Sequence, residues 1–527
     1  MKKLFLKYWR CALAALFGLG IFLFWYCGYP QALCYQEQNQ LFLWSIDYFC
    51  RDMSVAGGFA DYVSEFLVQF YYVPLIGAFI LACVFVAFYV LCCFVSKTFV
   101  LTDSKPNAVR MPLKWYWNVI LLLPAFVLLE VMGDIEVLLS FPIALTLSLL
   151  MVWLMNIATR KVGLRFYLSE LLIVPVLFWL IGGGATWLYV FLRIAFCWWK
   201  YRKPFLLLLT IPYFLAVQLI CYATVLVQYP LSSVMIGINY YRVPMHFPGS
   251  NWGYDKDLYA LLKQNEQVRN GKWNEIIQDA EKYQVKMPYS SNSVNLALAE
   301  TRQLADRMFT FYQSGEDALL APRSRDNMSM YPTMEAFWYL GLVNSSLRYA
   351  TDLQASILNG RMSGRLMKRM TECQIVNGKY SVARKNIDIL KQSLFYHDWA
   401  VQAESLLGNN TAISHDPDLG RARRMRFKTD MLYSYDEIDK MMGLLFINNP
   451  DNKMALDYFM GQMLLKGDIQ GFMRYGSWVQ QYGGYSQMPY GYADAIKCIQ
   501  NQGNVPGSPY AEYVKRMMSQ QKGGEIR

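Results

Sequence analysis

Five carboxylates, Glu37, Asp47, Asp52, Asp61 and Glu65, fall in one polar stretch between two apolar runs (29–70), and three more, Glu130, Asp134 and Glu136, crowd a short turn between two others. Oxygen ligands in such numbers suit a hard divalent cation, and a lone carboxylate can take a proton from an acceptor hydroxyl. Glu37, Asp47 and Asp52 are therefore the candidates for a catalytic base. Glu130, Asp134 and Glu136 are the candidates for holding a metal such as Mg or Mn; the cofactor itself stays open. The bland alternative for each carboxylate is the solvated face of an interfacial helix. Glu170 and Arg193 stand inside apolar runs. A charge at membrane depth costs ~2.5–3.5 kcal/mol on insertion scales, so these two pair, snorkel or line a cavity, and Arg193 is the candidate for touching a lipid phosphate. His246, His397 and His415 are scattered, which speaks against a histidine-centred metal or nucleophile site.

Composition sets the scale of the elements that must carry these residues. With 527 residues, 55% hydrophobic and only 17% charged, the chain is too apolar for a pair of soluble domains. Apolar runs at 11–28, 71–95, 137–158 and 204–230 are each long enough for a membrane helix, and the shorter run 115–129 is read as a further crossing. The run 166–199 is longer, and Gly182, Gly183 and Gly184 offer a turn that splits it into two helices. Loop charge favours the split. Lys2, Lys3, Lys7 and Arg10, then Lys97, Lys105, Arg110 and Lys114, then Arg160, Lys161 and Arg165, then Lys200, Arg202 and Lys203 all fall on one side only if that run crosses twice. The reading is a seven-helix module (1–238) with its N-terminus in the cytoplasm and everything after the last crossing outside. In a Gram-negative cell that compartment is the periplasm. The net charge of +11 lies largely in these connectors, where it sets topology; nucleic acid is not an expected partner.

The first outer loop (29–70) divides at Gly57 and Gly58 into two amphipathic segments expected to lie flat on the membrane surface. In the second, Phe59, Val63, Phe66, Leu67 and Phe70 oppose Asp61, Glu65 and Gln69, which predicts a solvated acidic face. An aromatic, proline-rich linker (239–253) leads to a helical domain (254–510), followed by a tail (511–527) expected to fray from Lys515 onward. Within that domain the turn Asn270-Gly271-Lys272 recurs as Asn377-Gly378-Lys379, each between amphipathic helices, with a weaker copy at Gly467 and a further first helix around 335–349. Cys34 with Cys50, and Cys373 with Cys498, are the thiols that an oxidising compartment could pair, while those inside apolar runs serve as small hydrophobes.

The recurring Gly turns resemble tetratricopeptide repeats over 254–501, a resemblance that implies an all-α solenoid binding a periplasmic protein or glycan. The membrane part resembles the module of GT-C-fold glycosyltransferases, in which a first outer loop of two juxtamembrane helices carries a catalytic acid and a second acidic motif follows helix three. That resemblance implies sugar transfer from a polyprenyl-linked donor in envelope glycan assembly, with Glu37, Asp47 or Asp52 in the first role and Glu130, Asp134 or Glu136 in the second. No Asp-x-Asp pair is present in these loops. The whole chain also resembles an uncharacterised family of Gram-negative inner-membrane proteins with this two-part plan. Catalysis therefore stands beside a second reading, a non-catalytic membrane-anchored scaffold whose repeats bind a periplasmic partner.

Overall fold

The computed structural model describes residues 2–100, 115–159, 164–201, 208–224, 231, 254–287, 290–322, 327–357, 360–427, 438–481 and 485–524. The linker 239–253, His246 and the basic residues Lys105, Arg110, Lys114, Arg160, Lys161, Arg202 and Lys203 lie outside them, as do both ends of the last apolar run. Among the described residues the secondary structure is helical, with no strand. The chain divides into two units, the first comprising Met1–Asp255 with Gln392–Phe395 and the second the remainder.

Helices in the first unit follow the apolar runs. They are α1 (Lys2–Leu23), α2 (Pro30–Gln38), α3 (Ile46–Met53), α4 (Gly58–Val68), α5 (Pro74–Val100), α6 (Trp115–Ile120), α7 (Leu123–Val131), α8 (Ser140–Ala158), α9 (Leu164–Ile181) and α10 (Gly183–Tyr201), followed by a helix at Thr210–Thr224. Three are long and apolar enough to cross a membrane, Trp9–Gly28, Pro74–Phe99 and Ser140–Ala158, and shorter apolar helices cover Tyr116–Val131, Phe166–Ile181 and Thr210–Thr224. Their outward faces carry exposed side chains such as Leu16, Phe79, Leu123, Ile157 and Leu172. The break expected at the glycine triplet falls at Gly182, whose φ of 83° is left-handed, and α9 and α10 pack together as a hairpin. Where the chain leaves the linker, Tyr254 stacks on Tyr29 and donates its hydroxyl to the Leu129 carbonyl at 2.8 Å.

Hairpins make up much of the second unit. The pairs are Lys256–Arg269 with Trp273–Lys282, Asn327–Leu340 with Val343–Ser356, Gly364–Val376 with Tyr380–Leu390, and Lys453–Lys466 with Ile469–Gln481. All four turn through a left-handed glycine, Gly271, Gly341, Gly378 or Gly467. After each, the next amide reaches back to a carbonyl five residues earlier: Lys272 to Gln267 at 2.9 Å, Leu342 to Phe337 at 2.9 Å, Lys379 to Gln374 at 2.8 Å and Asp468 to Met463 at 2.9 Å. This closure satisfies carbonyls that a helix end otherwise leaves bare. Arg302 and Gln502, at φ 60° and 50°, make the same closure without glycine.

These turns differ in what surrounds them. A Cβ on Gly341 would stand 2.5 Å from the Met425 carbonyl oxygen, whereas nothing lies within 4 Å of one on Gly378. Gly341→Ala is thus expected to destabilise the unit by roughly 2–4 kcal/mol and Gly378→Ala by only about 1–2 kcal/mol, the left-handed strain alone. Thermal unfolding of the two variants side by side checks the difference.

The tail departs from expectation. Residues Pro509–Gly524 form a helix, with Tyr510, Ala511 and Tyr513 buried. Tyr513 donates to the Leu465 carbonyl at 2.8 Å and Arg516 to the Gln313 carbonyl at 3.1 Å. Ser508 caps it by accepting from the Ala511 amide at 3.1 Å. A cap serine, a proline at the first helical position and Glu512 in the first turn are a start signal that the reading of 511–527 as frayed passed over. The cysteines are all free: Cys373 and Cys498 are buried as thiols, packed as small apolar side chains, and neither they nor Cys34 and Cys50 form disulfides.

Candidate functional site

The charges inside the apolar helices meet. Gly182 ends α9 and leads into α10, and Glu170 and Arg193 lie 12 and 11 residues either side of it. At 1.5 Å per helical residue both stand about 17 Å from the turn, so the hairpin sets them abreast. Arg193 Nε donates to Glu170 Oε1 at 2.9 Å, and Nη2 to the same oxygen at 2.6 Å. Nη1 donates to Asn156 Oδ1 at 2.5 Å and Nη2 also to Thr159 Oγ1 at 3.0 Å. Tyr189 donates its hydroxyl to the other Glu170 oxygen at 2.7 Å, and Asn156 donates to Thr98 at 2.8 Å. One network therefore ties α5, α8, α9 and α10 together. Arg193 is 1% exposed and each guanidinium nitrogen bonds to a protein side chain, so the group expected to touch a lipid phosphate is enclosed by its own helices. Asn156, Thr159 and Tyr189 were not singled out from sequence. Glu170 and Arg193 were, and their near-equal spacing from Gly182 was the available signal for pairing them.

Loop one is inverted relative to the sequence reading. Asp61, Glu65 and Gln69 are 6%, 3% and 6% exposed, and Phe59, Val63, Phe66, Leu67 and Phe70, on the opposite stripe, are half-buried. Packed against apolar helices, α4 turns its polar face into the protein, where polar side chains of its own loop and backbone carbonyls are at hand to meet it. Gln36 donates to the Val137 carbonyl at 3.0 Å, and Gln40 to the Gln36 carbonyl at 3.3 Å. Tyr48 donates its hydroxyl to the Glu65 carboxylate. The cover is held down by Trp179, whose carbonyl accepts from the Gly57 amide at 2.8 Å and whose indole donates to the Met53 carbonyl at 3.0 Å.

The candidate carboxylates go to different places. Glu37 is buried at 4%. Asp47 is exposed in the first turn of α3, which Ser45 caps by accepting from the Tyr48 amide at 3.2 Å. Asp52 pairs with its neighbour Arg51 at 3.4 Å. Glu130 ends α7, half-exposed; Asp134 accepts from the Glu136 amide at 2.9 Å in the following turn, and Glu136 is exposed. Among the described residues no three His, Cys, Asp or Glu side chains stand close enough to hold a metal ion. Glu130, Asp134 and Glu136 form no such cluster in this structure, and Asp134 is engaged in closing its own turn.

The second unit has its own buried charges. Glu335, on the Asn327–Leu340 helix, takes Arg365 at 3.2 Å and Arg369 at 2.5 Å, one turn apart on Gly364–Val376. Arg365 also donates to Asn265 at 2.9 Å, and Arg369 pairs with Glu372 at 2.7 Å. Their guanidinium planes lie over Tyr331 and Trp338. Burial alone would raise the Glu335 carboxyl, but the charges of Arg369 and Arg365 outweigh it and hold it below the usual carboxylate range.

Asp457 shows the opposite balance. It is 5% exposed and accepts from the Tyr485 hydroxyl at 2.6 Å. Burial outweighs that bond and the nearby Arg302, and pushes the carboxyl up to about 6 from 3.8. An acid with a raised folded-state value favours the native state when protonated, so its contribution falls as pH rises from about 4 to about 6. Asp457→Asn is expected to stabilise the unit by roughly 1–3 kcal/mol at pH 8, with the gain shrinking toward pH 4. Urea unfolding at the two pH values checks the sign.

The described residues thus define an all-α protein, one unit of which has helices long and apolar enough to cross a membrane and the other of which is rich in helical hairpins. Residues 6–521 match the model of a family of unknown function, DUF6057, and the chain belongs to that family. Neither a curated protein nor a solved structure matches it.

Proposed function

We propose that this is a bacterial inner-membrane protein whose seven-helix block anchors a tetratricopeptide-like unit in the periplasm, where the hairpins bind a protein or glycan partner. What supports binding over catalysis is the dispersal of the candidate acids: Asp47 faces out, Asp52 pairs with Arg51, and Asp134 closes a turn. Arg193, the other group suited to handling a phosphorylated substrate, is occupied as a clamp. The Gly-centred hairpins meanwhile repeat one local geometry, the form in which stacked helix pairs build a continuous binding face. The topology rests on Arg10, Lys97 and Lys200 sharing the cytoplasmic side. A phosphatase reporter fused after Arg527 should be active and a fluorescent protein there dark; the reverse result sinks the periplasmic placement and the partner with it.

A second reading, glycosyl transfer from a polyprenyl-linked donor by a GT-C-like module, draws on one observation: Glu37, Asp61 and Glu65 of loop one are buried. Glu37 would be the base. No step is assigned to a metal, because the outer acids do not gather round one. Alanine at Glu37, Asp47 and Asp52 in turn, scored on envelope glycans, tests it, and unchanged glycans throughout would remove it.

A further inference from the structure

On the buried side of loop one, where it meets α8, polar groups outnumber the partners the protein offers them. Ser64 and Ser140 are 0% exposed, Gln40 2% and Gln69 6%, and Ser64 Oγ, Ser140 Oγ, Gln40 Oε1 and Gln69 Oε1 have no hydrogen-bond partner. The four lie on elements packed against one another. Gln40 bonds back to Gln36, and Gln36 reaches the Val137 carbonyl three residues ahead of Ser140. Helix α4 carries Ser64, runs directly into the turn Gln69–Tyr72, and packs on α8, which begins at Ser140; α2 packs on that same turn. Glu37, Asp61 and Glu65 add buried carboxylates on these elements.

Enclosed polar groups without partners destabilise a fold, and several in one layer point to a molecule that completes them. The inventory says what kind. Carboxamide oxygens only accept, so a ligand that completes Gln40 and Gln69 brings donors; serine hydroxyls also donate, so it brings acceptors as well. Hydroxyl groups do both without charge, whereas a phosphoethanolamine head group accepts only through a phosphate, which the acidic Glu37, Asp61 and Glu65 of the same layer disfavour. We propose that this layer is a binding site for the hydroxyl-rich head group of a neutral glycolipid, entering from the bilayer when the loop-one cover shifts from Trp179. Gln40 and Gln69 take its O–H groups, and Ser64 and Ser140 donate to its oxygens. The site rests on the membrane placement proposed above but not on sugar transfer: a glycolipid bound without any sugar transferred leaves it standing.

Full-length protein reconstituted in phosphatidylcholine nanodiscs tests this, with monoglucosyl diacylglycerol or phosphatidylethanolamine added at equal mole fraction and the unfolding midpoint as readout. The glucosyl lipid should raise the midpoint of the wild-type chain, and S64A/S140A and Q69L should each lose that rise. A rise with phosphatidylethanolamine alone, a rise with neither lipid, or one undiminished in the variants overturns the proposal. Should the double variant fail to fold, Q69L carries the comparison together with native mass spectrometry, in which wild-type protein stripped of bulk lipid should keep the glucosyl lipid. Its complete loss there also overturns the proposal.

Discussion

Arg193→Met is expected to destabilise the first unit by about 3–5 kcal/mol, the largest effect of any single change in the apolar helices. The substitution keeps length and removes charge, leaving Glu170, 3% exposed, with only Tyr189 among its bonds described above. It also takes the donors from Asn156 and Thr159, so the α8–α10 contact loses its polar pins. Glu170→Gln should be damaging for the mirror reason, a stranded guanidinium. E170Q/R193Q together should do less harm than the sum of the two single changes, since neither charge is left alone. Unfolding by sodium dodecyl sulfate in mixed micelles gives all corners of the cycle. Because the guanidinium is enclosed by protein at 1% exposure, the loss should be the same in neutral and anionic lipid. A loss that appears only in anionic lipid would return Arg193 to the head groups.

Glu335→Ala should be of similar size in the second unit, about 3–5 kcal/mol, because it removes the carboxylate that two buried guanidinium groups share and leaves Arg365 without its acid. Arg365 is 5% exposed and cannot turn to water. The pH dependence follows from the direction of the Glu335 shift. Its carboxyl sits low in the folded state, so the unfolded chain takes up the proton first. The contribution is complete above the ordinary carboxylate range and is lost as pH falls through the depressed value. Wild-type protein should therefore lose stability in acid more steeply than E335Q, in which this titration is gone. Asp457 works the other way and over a higher window, so E335Q/D457N should flatten the profile from both sides. Urea midpoints across pH separate the two.

Much of this architecture was legible. The runs of apolar residues placed the helices of the first unit, and Gly182 placed the break between α9 and α10. The Asn-Gly-Lys turns at 271 and 378 were readable because a left-handed residue after a helix favours glycine. Arg302 and Gln502 adopt that conformation without it, and nothing local marks them. Gly341 is held by the approach of the Met425 carbonyl, a contact across 84 residues of sequence. The Glu335 cluster was invisible for the same reason: Asn265, Glu335 and Arg365 come from three helices, and each alone reads as an ordinary polar position.

By itself the sequence determined that this chain is helical, where some of its helices break, and which of them are apolar enough for a bilayer, because these depend on local geometry and on summed hydrophobicity; the break at Gly341, inside the helix expected at 335–349, was not among them. Only the tertiary structure decided which charges meet and which way loop one faces. Periodicity shows that α4 has a polar and an apolar stripe, but not what medium each stripe will touch. Among apolar helices the usual assignment reverses, and Asp61, Glu65 and Gln69 go to the inside.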